Sequence, residues 1–310
     1  MNIEELFELL YSKKQILNQS RSIKNVQYSE ERAKQINSLM DKQIFGQQFI
    51  NSLNSRTPYA EIECCYQFIM QTIIDRISLF SELRDRSYHV IITGGIDLRN
   101  EVTGSDVIIV LEWPLIKYLD LLNSNALKSK SFEHYRENTK LVLQCYKQKY
   151  LDHMDINLFS FIFPTSTFTD VQYQLNMVLQ QIQTVFILCH ELGHLLNPNL
   201  TGLSAEIAAD AVAFKSVMIY CRDNQRLIPF IVIGIMLLFS YLTILDVAIK
   251  NDKSSKSKTR DAWLDRYEAI MDFIEKIELS ENDIAFVSGY DEICTVIDEL
   301  CLHDIEDAPI

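Results

Sequence analysis

Apolar residues recur at helical spacing from Glu61 to Leu83, where Cys65, Phe68, Ile69, Ile73, Ile77 and Phe80 share a stripe. The pattern predicts a helix with one face on a core. Residues 1 to about 85 read as helices with polar breaks. Two β-branched runs follow, His89–Thr93 and Asp106–Leu111, with turn residues between them at Gly94-Gly95 and Thr103-Gly104-Ser105. Residues 114–149 return to helical patterning, and the apolar run Leu158–Phe163, closed by Pro164, reads as a further strand.

From Thr169 or Asp170, either of which can cap, a long helix is predicted to reach about Leu196. Asn197-Pro198-Asn199 stops it, because proline cannot continue the hydrogen-bond ladder. Ser204 is placed to cap a second helix from Ala205 to about Tyr220. Leu227–Leu245 follows with 19 uncharged residues, just long enough to span a bilayer and equally suited to a helix buried on all sides. Pro229, Gly234, Ser240, Tyr241 and Thr243 dilute the run and favour the buried reading. Lys250–Arg260, rich in Lys and Ser, reads as a solvated loop. Helices near 261–278 and 291–302 close the chain. The fold class expected is mostly α, formally α+β, with a small sheet of two to three strands. Its division is a helical N-terminal region with a hairpin-like part over 1–150, and a core over 151–310.

Composition narrows the functions open to the chain. With 48% hydrophobic residues in 310, it can bury a full core. A net charge of −13 repels nucleic acid and anionic lipid. Seven scattered cysteines without a CxxC pair fit reduced thiols in a cytosolic protein. Met1–Lys14 carries Glu4, Glu5 and Glu8 and lacks the basic start and apolar run of a secretory signal. A cytoplasmic location is therefore expected.

Candidate chemistry centres on His190-Glu191-Leu192-Gly193-His194. Histidines four apart on a helix leave the same face, so both imidazoles can reach one ion. Glu191 is placed to act on a water at that ion. With 6 His and 21 Glu in the chain, chance produces such a motif on the order of once in a hundred sequences of this kind. Its apolar setting, Val185 to Cys189, makes two unpartnered imidazoles costly to bury. Twelve residues on, Glu206 offers a third ligand. Asp210, one turn later, is placed to accept the other ring N–H of a ligand histidine. Gly193 with Ala205, Ala208, Ala209 and Ala211 allows the two helix backbones to approach closely. The competing reading makes Glu206 and Asp210 a solvated acidic face at a helix start.

His190-Glu191-x-x-His194 followed by Glu206-x-x-x-Asp210 resembles the gluzincin class of zinc metallopeptidases. Within it the chain is similar to bacterial cytosolic families such as the Lit-type phage-exclusion peptidases, and more distantly to HtpX-like and ImmA-like ones. The resemblance covers about 185–270. It implies one Zn2+ per chain on His190, His194 and Glu206, catalysis by Glu191 on a zinc-bound water, and support from Asp210. It also implies a protein or peptide substrate and a setting in phage defence. Tyr220, Tyr267 and His153 are candidate oxyanion donors. His89, His134 and His303 read as isolated histidines, Cys189 as a packed thiol, and Gly94-Gly95 as no phosphate loop. Two rival functions are a non-catalytic zinc-binding regulatory or sensor module, and a membrane-embedded processing protease built on 227–245.

Overall fold

A computed structural model describes residues 60–93, 99–103, 106–152, 169–222, 225–250 and 253–301. His153, His303, Gly94-Gly95 and the run 158–163 lie outside the described residues. Contacts divide the chain into two compact units, Met1–Cys65 and Tyr66–Ile310, and the candidate site lies wholly within the second.

The described residues are mostly α-helical. In chain order the helices are α1 (Ala60–Arg76), α2 (Trp113–Lys128), α3 (Phe132–Asp152), α4 (Asp170–Leu196), α5 (Leu203–Tyr220), α6 (Ile228–Ala248), α7 (Lys253–Ile274) and α8 (Glu281–Glu299). Strands β1 (Ser87–Thr93), β2 (Arg99–Thr103) and β3 (Asp106–Glu112) lie in the order β1-β3-β2. β1 runs parallel to β3 from Ser87 opposite Asp106, and β2 runs antiparallel to it. The Gln67 amide of α1 bonds Tyr88 O and Val90 N–H on the outer edge of β1.

α6 is the centre of the helical unit. It is apolar on every side, so no single face can be left to water. Sixteen of its residues are buried, and α2, α3, α4, α5, α7 and α8 all pack on it. α4 crosses it at Gly234, where Ile182 would stand 3.0 Å from an added Cβ. Buried amides pin this crossing to α2: Asn123 and Gln183 exchange hydrogen bonds at 2.8 and 3.2 Å, and Gln183 reaches Gly234 O at 3.3 Å. An amide buried without partners costs free energy, so the pair fixes one register of α2 on α4.

Several boundaries differ from the sequence expectation, each for a local reason. α4 begins as expected: Thr169 accepts from Gln172 N–H while Gln172 reaches back to Thr169 N–H, a complete capping box. α5 instead begins at Leu203, with Gly202 as its N-cap at φ 60°. Ser204 donates to Thr201 O and caps nothing. The loop expected over 250–260 is helical from Lys253. It contains neither Gly nor Pro, so nothing in it breaks a helix that runs on through Ile274. α8 starts ten residues earlier than expected, at Glu281, where Ser280 accepts from Asp283 N–H. On α1, Phe68 is 73% exposed. The buried face is carried by Met70, Ile73, Ile74 and Ile77.

Candidate metal centre

Two helices that nearly touch build the site. A Cβ on Gly193 would lie 2.8 Å from Ala209 Cα and 3.0 Å from Ala209 O. Only glycine at 193 permits that approach, and it brings the first turns of α5 over the last turns of α4. The connection is held by Asn197, whose side chain donates to Gly193 O at 3.0 Å. Gly202, in the left-handed region, turns the chain into α5.

Glu206 therefore faces the two motif histidines. His190 Nε2 and His194 Nε2 are 3.1 Å apart. Glu206 Oε2 lies 3.3 Å from His190 Nε2, and Glu206 Oε1 lies 3.5 Å from His194 Nε2. Ligand atoms held at 2.0–2.1 Å by a tetrahedral ion stand about 3.3–3.4 Å from one another. The three side chains thus converge at ligand spacing, and the group can hold a metal ion. The rest of the arrangement fits. His190 Nδ1–H donates to Asp210 Oδ1 at 2.8 Å, which leaves the Nε2 lone pair facing Glu206 and His194. Glu191 is 5% exposed and lines the same cavity of about 410 Å³ as His190, His194 and Glu206.

Arg266 of α7 completes the cluster. Its Nε and Nη2 donate to Asp210 at 2.7 and 2.9 Å, and its Nη1 lies 3.1 Å from Glu206 Oε2. The guanidinium stacks 4.1 Å from the Trp263 ring centroid, and Trp263 is fixed by donating to Asp246 at 3.0 Å. Arg266 is the residue whose role spacing did not reveal. Its one sequence signal is the i, i+3 pair Trp263–Arg266, an aromatic and a cation on one helix face.

The electrostatics follow from these contacts. Burial penalises charge on His190, but hydrogen bonds to Asp210 and Glu206 outweigh it and hold its pKa at about 9. Burial and the neighbouring His190 push His194 down, so a charge on one imidazole disfavours a charge on the other. The His190 hydrogen bond, with Arg266 and His194 adding to it against burial, holds Glu206 at about 2. Asp210 is lowered too: burial opposes, and the bonds from His190 and Arg266 prevail.

Two of the suggested oxyanion donors are not brought to this cavity. Tyr220 lies at the far end of α5, beside Cys221 and Leu227 in a separate cavity. Tyr267 does not line the cavity; its ring lies 6.3 Å from Phe239, and burial with Cys294, Asp291 and Asp298 of α8 raises its hydroxyl well above its ordinary pKa. Cys189 is fully buried and its thiol is raised by that burial, as a packed residue should be. Comparisons with family models, with curated proteins and with solved structures return no match.

Proposed function

We propose that the chain is a zinc-dependent metallopeptidase of the gluzincin type that hydrolyses a peptide bond in a protein substrate. One observation carries the reading: two imidazoles and a carboxylate meet at ligand spacing, with Glu191 on the wall of the same cavity. A silent or structural site has no need of that fourth group.

A zinc ion on His190, His194 and Glu206 supplies a Lewis acid and lowers the pKa of water toward about 7. Glu191 takes the proton from the attacking water and delivers it to the leaving amine, so base and acid are one group. Asp210 keeps His190 in the tautomer that presents Nε2. Arg266 holds both Asp210 and Glu206 in register and offsets their charge. The resemblance to phage-exclusion peptidases supplies the setting, cleavage of a host protein in the cytoplasm. The small sheet belongs to the proposal as the α+β part of the fold. Leu111 of β3 and Ile187 of α4 line one small cavity, which supports a sheet beside the motif helix. With the β1 edge at Tyr88 and Val90 held by Gln67, the β2 edge is, among the described residues, the one on which an extended peptide would add.

Metal analysis of the purified chain should find about one zinc, and replacing both His190 and His194 with Ala should empty the site. A proteome-wide cleavage screen should then give zinc-dependent new termini. Full zinc occupancy in the double variant defeats the metal assignment. Zinc without any cleavage favours the regulatory or sensor module instead.

A further inference from the structure

Arg266 is itself held, and from outside the group that can take a metal. Its guanidinium carbon lies 4.1 Å from the Trp263 ring centroid and 5.8 Å from that of Phe239. The shorter distance is that of a guanidinium resting on the indole, and the longer one is near the limit of such a contact. Trp263 is fixed in turn, because its indole N–H donates to Asp246 Oδ2 at 3.0 Å. Asp246 Oδ1 lies 3.1 Å from Lys250 Nζ, so that carboxylate is engaged through both oxygens. A continuous line of contacts therefore runs from Asp246 of α6 through Trp263 and Arg266 of α7. It passes to Asp210 and Glu206 of α5 and ends at His190 of α4.

Ion pairs made at the edge of a guanidinium leave its faces uncovered. Arg266 and Trp263 line the same cavity, so water standing there would meet the face on which the indole lies. Water beside an ion pair screens it and competes for its donors. The Arg266 side chain is only 12% exposed although it borders that cavity. The two residues are three apart on one helix, the spacing at which side chains meet. The bond from the indole to Asp246 then sets which way the ring turns.

We propose that Trp263, anchored by Asp246, is a positioning residue for the candidate metal centre. It keeps the Arg266 guanidinium in the plane from which Asp210 and Glu206 are reached together. Neither Trp263 nor Asp246 is a ligand, and both act through Arg266. The proposal rests on the metallopeptidase reading and adds a control on how tightly that site holds its metal.

The test reads metal binding rather than hydrolysis. Zinc affinity of the full chain is measured by competition with a chelator, and the visible spectrum of the cobalt(II)-loaded chain reports ligand geometry. Trp263→Leu keeps an apolar side chain and removes the ring. Zinc should then bind about 3–30-fold more weakly, the worth of a cation–π contact, and the cobalt spectrum should change. Trp263→Phe restores a ring and should bind zinc more tightly than Trp263→Leu. Val142→Ala, at a fully buried position of α3, is the control for lost stability: its melting temperature should fall while zinc affinity and cobalt spectrum stay at wild type. Should Trp263→Leu fail to fold, Asp246→Ala, at a half-buried position, frees the indole and should weaken zinc about 2–10-fold. Wild-type affinity and spectrum in the folded variant overturn the positioning role and leave the metallopeptidase reading standing. So does a loss that Val142→Ala reproduces in full, or a Trp263→Phe no tighter than Trp263→Leu. A wild-type chain that binds neither zinc nor cobalt overturns that reading, and the positioning role with it.

Discussion

Glu191, Glu206 and Asp210 are carboxylates on two adjoining helices, and their surroundings assign them different work. Glu206 stands at ligand spacing from His190, Asp210 clamps His190, and Glu191 stands on the cavity wall, so the proposed function gives each its own part. Glu191→Gln keeps size and polarity and removes the base, so zinc content and melting temperature should stay near wild type while hydrolysis falls roughly 10²–10⁴-fold. Glu206→Gln should weaken metal binding instead, because an amide is a poor zinc ligand. Asp210→Asn should cost on the order of 10–100-fold in affinity or activity. Zinc lost in Glu191→Gln, with zinc and activity kept in Glu206→Gln, would reverse the assignment. The same residues set a pH dependence in protein stripped by a chelator. His190, raised to about 9, stabilises the fold fully below its ordinary value of about 6.5, and that contribution is lost as pH rises through about 9. Glu206, lowered to about 2, has the opposite sign: its contribution is present above the ordinary carboxylate range and is lost as pH falls toward about 2. Stripped protein should therefore lose melting temperature between about pH 7 and 9, and His190→Ala should flatten that decline. A metal and a proton compete for the same Nε2, so metal affinity should rise across that window. Titration calorimetry at several pH values would reveal an affinity flat with pH.

At the scale of elements, the site depends on how closely α4 and α5 approach. Gly193→Ala puts a methyl where Ala209 Cα and O already stand at 2.8 and 3.0 Å. Both of those are backbone atoms, so α5 must move away, taking Glu206 and Asp210 with it. The expected result is a loss of about 1–3 kcal/mol in unfolding free energy, as overpacked cores show, together with zinc affinity reduced at least tenfold. Denaturant unfolding and metal titration of one preparation check both, and an unchanged metal affinity would separate the contact from the site. This crossing was legible in the sequence, since a lone glycine inside a histidine motif and an alanine-rich partner leave few alternatives. So were the start of α4 at Thr169 or Asp170 and a bond from one motif histidine to Asp210; that the cap is a full box with Gln172, and that the histidine is His190, only the fold decides. The start of α5 was not, because Ser204 is a better cap by composition than Gly202 and only the left-handed turn decides between them. The Lys-Ser stretch before Arg260 was misread for a related reason. Its polarity matches a loop, yet it forms the first turns of a helix whose later residues, Trp263 and Arg266, are held by Asp246 and Asp210. Arg266 stands 56 residues from Asp210 in sequence, beyond the reach of any spacing rule.

For the whole molecule, the question is where α6 belongs. Within Gln225–Ala248 an 18-residue window has a mean hydropathy of 2.5, enough for a membrane span, and 72% of that window is buried inside the protein. Composition alone fits a bilayer and a core equally well; the neighbours separate them. α4, α7 and α8 lie along α6, Ser240 and Tyr241 are buried on it, and Phe239 and Leu242 form part of the cavity wall. Drawing α6 into lipid would strip α4 of its bed and open the cavity that the histidines line. Burying a single large apolar side chain contributes roughly 1.5–3 kcal/mol, and the buried Ile, Val, Leu, Met and Phe residues of α6 gain this from the protein without any lipid. The chain should therefore appear in the supernatant of a detergent-free lysate, at a sedimentation position matching a folded particle. Zinc content should be the same with and without added detergent. Recovery only in a carbonate-resistant membrane pellet, or zinc bound only once detergent is added, would mean that α6 takes lipid as its partner. The membrane-embedded protease would then be the better reading.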